Sequence, residues 1–101
     1  RAVFRRVLRQ RDGADALRLE LDPLVRNGKA VVVDLSEVSY LDGAGFRVLA
    51  EASRIARTQD QSLYVIPSPI VKRLLGLLRL EDTFIVRESV KDALESLQAA
   101  Q

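Results

Sequence analysis

Two carboxylates bracket a short polar link in VVVDLSEVSYLDGAGFRVLA, residues 31–50: Asp34 at the end of an apolar run, and Asp42 just before Gly43-Ala44-Gly45. Paired acids are the equipment of general acid–base chemistry, where one carboxyl holds a proton and the other stays ionised. Here they lack company. The chain has no histidine and no cysteine, which removes the commonest general base, the commonest zinc ligand, thiolate metal sites and disulfides. Ser36 and Ser39 lie between the acids, but neither sits in a recognised nucleophile elbow. No phosphate-binding glycine-rich loop ending in lysine is present. The expectation is a protein that is not an enzyme, with no catalytic residues, no metal and no cofactor.

What remains at Asp42 is the chemistry of a helix start. A helix begins with orphan backbone N–H groups and the positive end of its dipole. Asp42 is placed to cap it by accepting from an N–H two or three residues on. The two glycines permit unusual dihedrals or a close approach of another backbone. Two readings stay open: a capped helix start and nothing more, or a terminus that docks an anion or a partner. Asp34 is expected to cap its own link through its side chain.

The elements around this turn follow from periodicity. With 101 residues, 48% apolar and 30% charged, the chain has the size and composition of one globular domain. No apolar run approaches the ~18 residues of a membrane span, so membrane insertion is not expected. Residues 2–9 are expected as a strand and 10–13 as a turn. Leu17, Leu21, Leu24 and Val25 mark a helix over 14–27, which Pro23 should kink or divide after Asp22. Asn27-Gly28 stops it. Three consecutive valines make 29–35 a strand covered on both faces. A helix over 44–58 buries Phe46, Leu49, Ala52 and Ala56 and exposes Arg47, Glu51 and Arg54. Residues 62–66 form a strand, and Pro67-Ser68-Pro69 opens a third helix with Val71, Leu74, Leu75 and Leu78 inward. Residues 83–86 are a last strand. Ser89 caps a last helix, with Val90, Ala93, Leu94 and Leu97 inward. Alternating strands and helices imply an α/β fold: a mainly parallel or mixed sheet of about four strands with about four helices.

The net charge is +2, with both signs mixed except at Arg1, Arg5, Arg6, Arg9 and Arg11. That cluster lacks interleaved aromatics and is read as a solvated strand face, so direct binding of nucleic acid is not expected. The chain starts at Arg1 and contains no methionine; it is expected to be a domain cut from something longer, or a processed form.

Residues 31–56, VVVDLSEVSYLDGAGFRVLAEASRIA, resemble the core of the STAS domain, the fold of anti-sigma-factor antagonists. There a valine-rich strand ends in Asp-Leu-Ser, and a link leads to Asp-Ser-Ser-Gly or Asp-Ser-Ala-Gly and a helix. LYVIPSPIVKRLLGLLRLEDTFIVRESVKDAL is similar to the family's later strand, Ser-Pro, helix, leucine, strand and helix. The resemblance covers residues 12–97 and treats the chain as a single STAS-like domain in which only the second strand of the family's opening hairpin is present. It implies a cytoplasmic bacterial regulator of transcription whose partner is a regulatory protein such as an anti-sigma factor that is also a kinase. The implied partner-binding residues are Ser39, Asp42, Gly43, Ala44, Gly45 and Arg47. In switched members the first serine after the motif aspartate is phosphorylated. Gly43 stands there and has no hydroxyl, and Ala44 has none either. Constitutive docking is therefore expected, with Ser36 and Ser39 as weak alternative acceptors. Arg79 also departs from the family, which often has glycine before the leucine matched by Leu80. The alternative is a STAS regulatory domain of a transporter or signalling scaffold, with nucleotide sensing and self-association open. A response-regulator receiver is discounted: Val38 stands where its proline belongs, and no acidic pair near the start can hold magnesium.

Overall fold

The computed structural model describes residues 3–7, 14–28 and 30–99. Strands and helices alternate: β1 (Val3–Val7), α1 (Ala14–Arg26), β2 (Ala30–Leu35), α2 (Gly43–Thr58), β3 (Leu63–Pro67), α3 (Pro69–Leu77), β4 (Ile85–Val86) and α4 (Val90–Ala99). The strands lie in sequence order, β1-β2-β3-β4, and every pair is parallel. Val31 pairs with Leu63 and Asp34 with Ile66, so β2 and β3 end together and deliver their loops to one edge. The fourth strand contributes only two residues, shorter than the expected 83–86. The turn expected at 10–13 and most of the N-terminal arginine cluster lie outside the described residues.

The valine run is buried on both faces, as its lack of alternation predicts. Val31, Val33, Leu35, Leu63 and Val65 point to one side and pack with Leu17, Leu21 and Val25 of α1, Leu49 and Ala56 of α2, and Val71 and Leu75 of α3. Ala30, Val32, Tyr64 and Ile66 point to the other and meet Ala93 and Leu97 of α4. Three helices thus share one face and a single helix covers the other, which follows when successive parallel strands are joined by crossovers of one hand.

Three expectations need correction. Pro23 does not divide α1, which runs unbroken to Arg26. Proline costs a helix the bond to the carbonyl four residues back; here Pro23 and Leu19 both lie on the exposed side, where water can satisfy that carbonyl. Leu78 does not face the sheet. It is the C-cap of α3 and 51% exposed, while Leu75 is 1% exposed and Leu74 half-buried. Leu94 is 37% exposed, at the margin of the face that Ala93 and Leu97 define.

The end of α3 explains the departure at Arg79. Its φ is +57°. Its N–H donates to the Gly76 carbonyl at 3.2 Å, and the Leu80 N–H donates to the Leu75 carbonyl at 2.9 Å. This paired pattern closes a helix with one left-handed residue, usually glycine. Arginine carries the steric cost of that conformation. Arg79→Gly removes it at about 1–2 kcal/mol and gives back about 0.4–1 kcal/mol in unfolded-chain entropy. The variant should therefore be more stable by roughly 0.5–1 kcal/mol. A urea midpoint below that of wild type would contradict this.

Candidate functional site at the start of α2

β2 hands the chain to the link through Asp34. Asp34 is 3% exposed, and its carboxylate accepts from the Ser36 N–H at 3.0 Å and the Ser36 hydroxyl at 2.6 Å. The expectation that Asp34 caps its own link holds. The Val38 N–H then donates to the Leu35 carbonyl at 3.1 Å, and Val38 is buried.

The far side of the link is held by a residue whose role sequence reasoning missed. Ser68 is 5% exposed. Its N–H donates to the Leu35 carbonyl at 3.1 Å, its hydroxyl donates to the Val38 carbonyl at 2.6 Å, and the hydroxyl accepts from the Val71 N–H at 3.3 Å. One serine thus caps α3 and fastens the link to it. Serine before proline at a helix start signals the cap; nothing in the sequence signals the reach to Val38, 30 positions away.

Asp42 caps α2 as expected. It is extended, with φ −81° and ψ 176°. Its carboxylate accepts from the Gly45 N–H at 2.8 Å, and its carbonyl accepts from the Phe46 N–H at 3.1 Å. Gly43 and Ala44, both exposed, supply the other amides of the first turn.

The two glycines have different work. Gly45 is buried, and a Cβ there would stand 2.5 Å from Leu41 Cδ1 and 3.0 Å from Leu41 Cγ. It is a packing glycine that seats Leu41. A Cβ on Gly43 would meet nothing within 4 Å, and its φ is not positive. No local constraint requires glycine at 43.

Of the expected docking residues, all but Gly45 are exposed. Ser39, Asp42, Gly43, Ala44 and Arg47 are all exposed, and Tyr40 joins them at 60% exposure. Ser36 is set apart by its bonds to buried Asp34. Among the described residues, no helix is long and apolar enough to cross a membrane.

The fold recurs in solved structures. One is a putative anti-sigma factor antagonist from Thermotoga maritima, with a TM-score of 0.77 and 16% identity, covering 93% of this chain and 81% of that one. Another is the Bacillus cell fate determinant SpoIIAA in its phosphorylated form, with a TM-score of 0.65 and 14% identity, covering 94% of this chain and 88% of that one. No curated protein sequence matches the chain. The family model described as "Mlab, STAS domain" matches residues 9–88, and with most of its length so matched, the chain belongs to the STAS family.

Proposed function

We propose that this domain is a non-catalytic docking module that binds a regulatory protein partner of the anti-sigma-factor class through the link and the start of α2. The contact residues are Ser39, Asp42, Gly43, Ala44 and Arg47, with Tyr40 added by its exposure. The observation that carries this reading is a small-residue turn that is exposed yet rigidly supported. Asp34, Ser68 and Asp42 fix the backbone on both sides, while Gly43 and Ala44 leave no bulk between it and an approaching chain. Preorganisation of this kind lowers the ordering cost of association. A partner of this class places the domain in the bacterial cytoplasm.

Docking is constitutive at residue 43, because glycine offers no oxygen to a kinase. Ser36 is a poor acceptor, since its hydroxyl is donated to Asp34. Ser39 is exposed and is the better of the two alternatives.

Arg47 tests the surface directly. It is exposed one turn into α2 and contributes nothing to the core. Arg47→Glu should weaken the cognate partner by about tenfold, roughly 1.4 kcal/mol, mainly through a slower association rate. Titration of the purified partner by calorimetry measures it. Unchanged affinity would remove this face from the interface.

A further inference from the structure

The docking link reaches the surface over a short span. Ser39 and Tyr40 are exposed, while Val38 before them is 2% exposed and Leu41 after them 9%. Two exposed residues thus hang between two buried ones, and how they are presented follows from how Val38 and Leu41 are held. Leu41 is seated against Gly45, where a Cβ would stand 2.5 Å from its Cδ1, so its support comes from α2. Val38 takes its support from a different element.

Val38 closes a turn with Leu35, its N–H donating to the Leu35 carbonyl at 3.1 Å. Ser68, between β3 and α3, grips that turn at both ends. Its N–H donates to the Leu35 carbonyl at 3.1 Å, and its hydroxyl donates to the Val38 carbonyl at 2.6 Å. A hydroxyl has one proton to give. Here the Val38 carbonyl takes it, and the Val71 N–H is received on the acceptor side at 3.3 Å. The arm is stiff. Ser68 stands between Pro67 and Pro69 with φ −69° and ψ 166°, in the extended region to which a residue before proline is restricted. The Asp34–Ser36 and Asp42–Gly45 bonds act within three residues. The Ser68–Val38 bond spans 30 positions and joins the link to α3.

Without that hydroxyl, the Val38 carbonyl loses its partner where water is scarce, since Val38 and Ser68 are 2% and 5% exposed. A buried acceptor left unpaired is costly. The turn relieves that cost by moving outward, and Ser39 and Tyr40 follow Val38. We propose, on the reading that a partner docks at the link and the start of α2, that Ser68 is the positioning residue of that surface. It touches no partner, being buried, and it sets affinity by holding Ser39 and Tyr40 in the bound arrangement before the partner arrives. The junction of β3 and α3 thereby controls a surface to which it contributes no contact.

The test compares Ser68→Ala and Ser68→Thr with Leu75→Ala, which removes a buried side chain of α3 and leaves both Ser68 bonds to the link in place. Backbone order parameters of Ser39 and Tyr40 are measured by NMR relaxation on the free domain. They should stand near about 0.85 in wild type, Ser68→Thr and Leu75→Ala and fall below about 0.6 in Ser68→Ala. Affinity for the protein purified for the Arg47→Glu titration should follow link order and not melting temperature. Ser68→Ala should bind at least about tenfold more weakly than wild type, and Leu75→Ala within about threefold of it although it melts lower. Ser68→Thr keeps donor and acceptor and should bind near wild type. Ser68→Cys stands in if Ser68→Ala does not fold, since it fills the space and donates only weakly. An ordered link in the variant without the donor would overturn the proposal. So would weak binding by Leu75→Ala with its link ordered, or wild-type affinity in a variant whose link is loose. Gly43→Asp, titrated alongside, locates the fault in that last case. If it binds weakly, docking at the link stands and Ser68 does not control it. If it too binds as wild type does, the docking surface lies elsewhere and the proposal falls with it.

Discussion

Leu75→Ala should destabilise the domain by about 2–5 kcal/mol, as buried leucine truncations do, while Leu78→Ala three positions on should cost less than about 0.5 kcal/mol. Leu75 is 1% exposed and lies in the large core, with Val71 beside it from the same helix and Val65 from β3. Removing its side chain leaves a cavity between α3 and the sheet that the surrounding strands cannot collapse to fill. Leu78 is the C-cap residue and half-exposed, so its truncation returns water-facing surface to water. Urea denaturation of both variants, with the slope checked for constancy, gives the two numbers. Equal effects would mean that α3 ends later than Leu77 and turns a different face inward.

That contrast also shows what periodicity could and could not deliver. An i, i+3, i+4, i+7 template over Val71, Leu74, Leu75 and Leu78 fits an uninterrupted helix. It holds for Val71 and Leu75. It fails at Leu78 because the left-handed turn at Arg79 stops the helix, and a residue at a helix end no longer follows the helical angle. Arginine gives no hint of such a turn; glycine would have. The same limit appears at Pro23. The local rule predicts a break, but the lost bond falls on the solvent side, and Leu21 and Val25 on either side are fully packed, so packing decides in favour of a continuous helix. By contrast, the valine run of β2, the caps at Asp42 and Ser89 and the stop at Gly28 were legible because each is a local event with a local signature. Ser89 accepts from the Asp92 N–H at 3.1 Å, and Gly28 takes φ +71°. At the candidate site, Asp34 and Asp42 were legible for this reason. Ser68 was placed only within the Pro67-Ser68-Pro69 stretch that opens α3; its bond to Val38 joins two loops that the sheet register brings side by side. The difference between Gly43 and Gly45 was not legible at all. Both read as permissive glycines, and only the position of Leu41 shows that one is crowded and the other open.

The openness at Gly43 makes Gly43→Asp a clean probe of docking. A side chain there meets no neighbour within 4 Å, and the backbone is not in the left-handed region. The fold should accept it. A carboxylate in the first turn of α2 also sits at the positive end of the helix dipole, which favours it by about 0.3–1 kcal/mol. The melting temperature should therefore hold or rise slightly. Docking should suffer, because the new group adds charge and bulk where Gly43 and Ala44 let a partner's backbone approach. The added charge stands beside Asp42 and resembles what a phosphate would bring to an acidic partner site, at about −1 against −1.5 to −2. The expected result is at least about tenfold weaker binding of the cognate partner, roughly 1.4 kcal/mol. Titrations of wild type, Gly43→Asp and Glu95→Ala, the last an exposed change on α4, should show the loss in the first variant alone. If Gly43→Asp melts like wild type and binds like wild type, the turn is a helix start only, and the partner is met elsewhere on the domain.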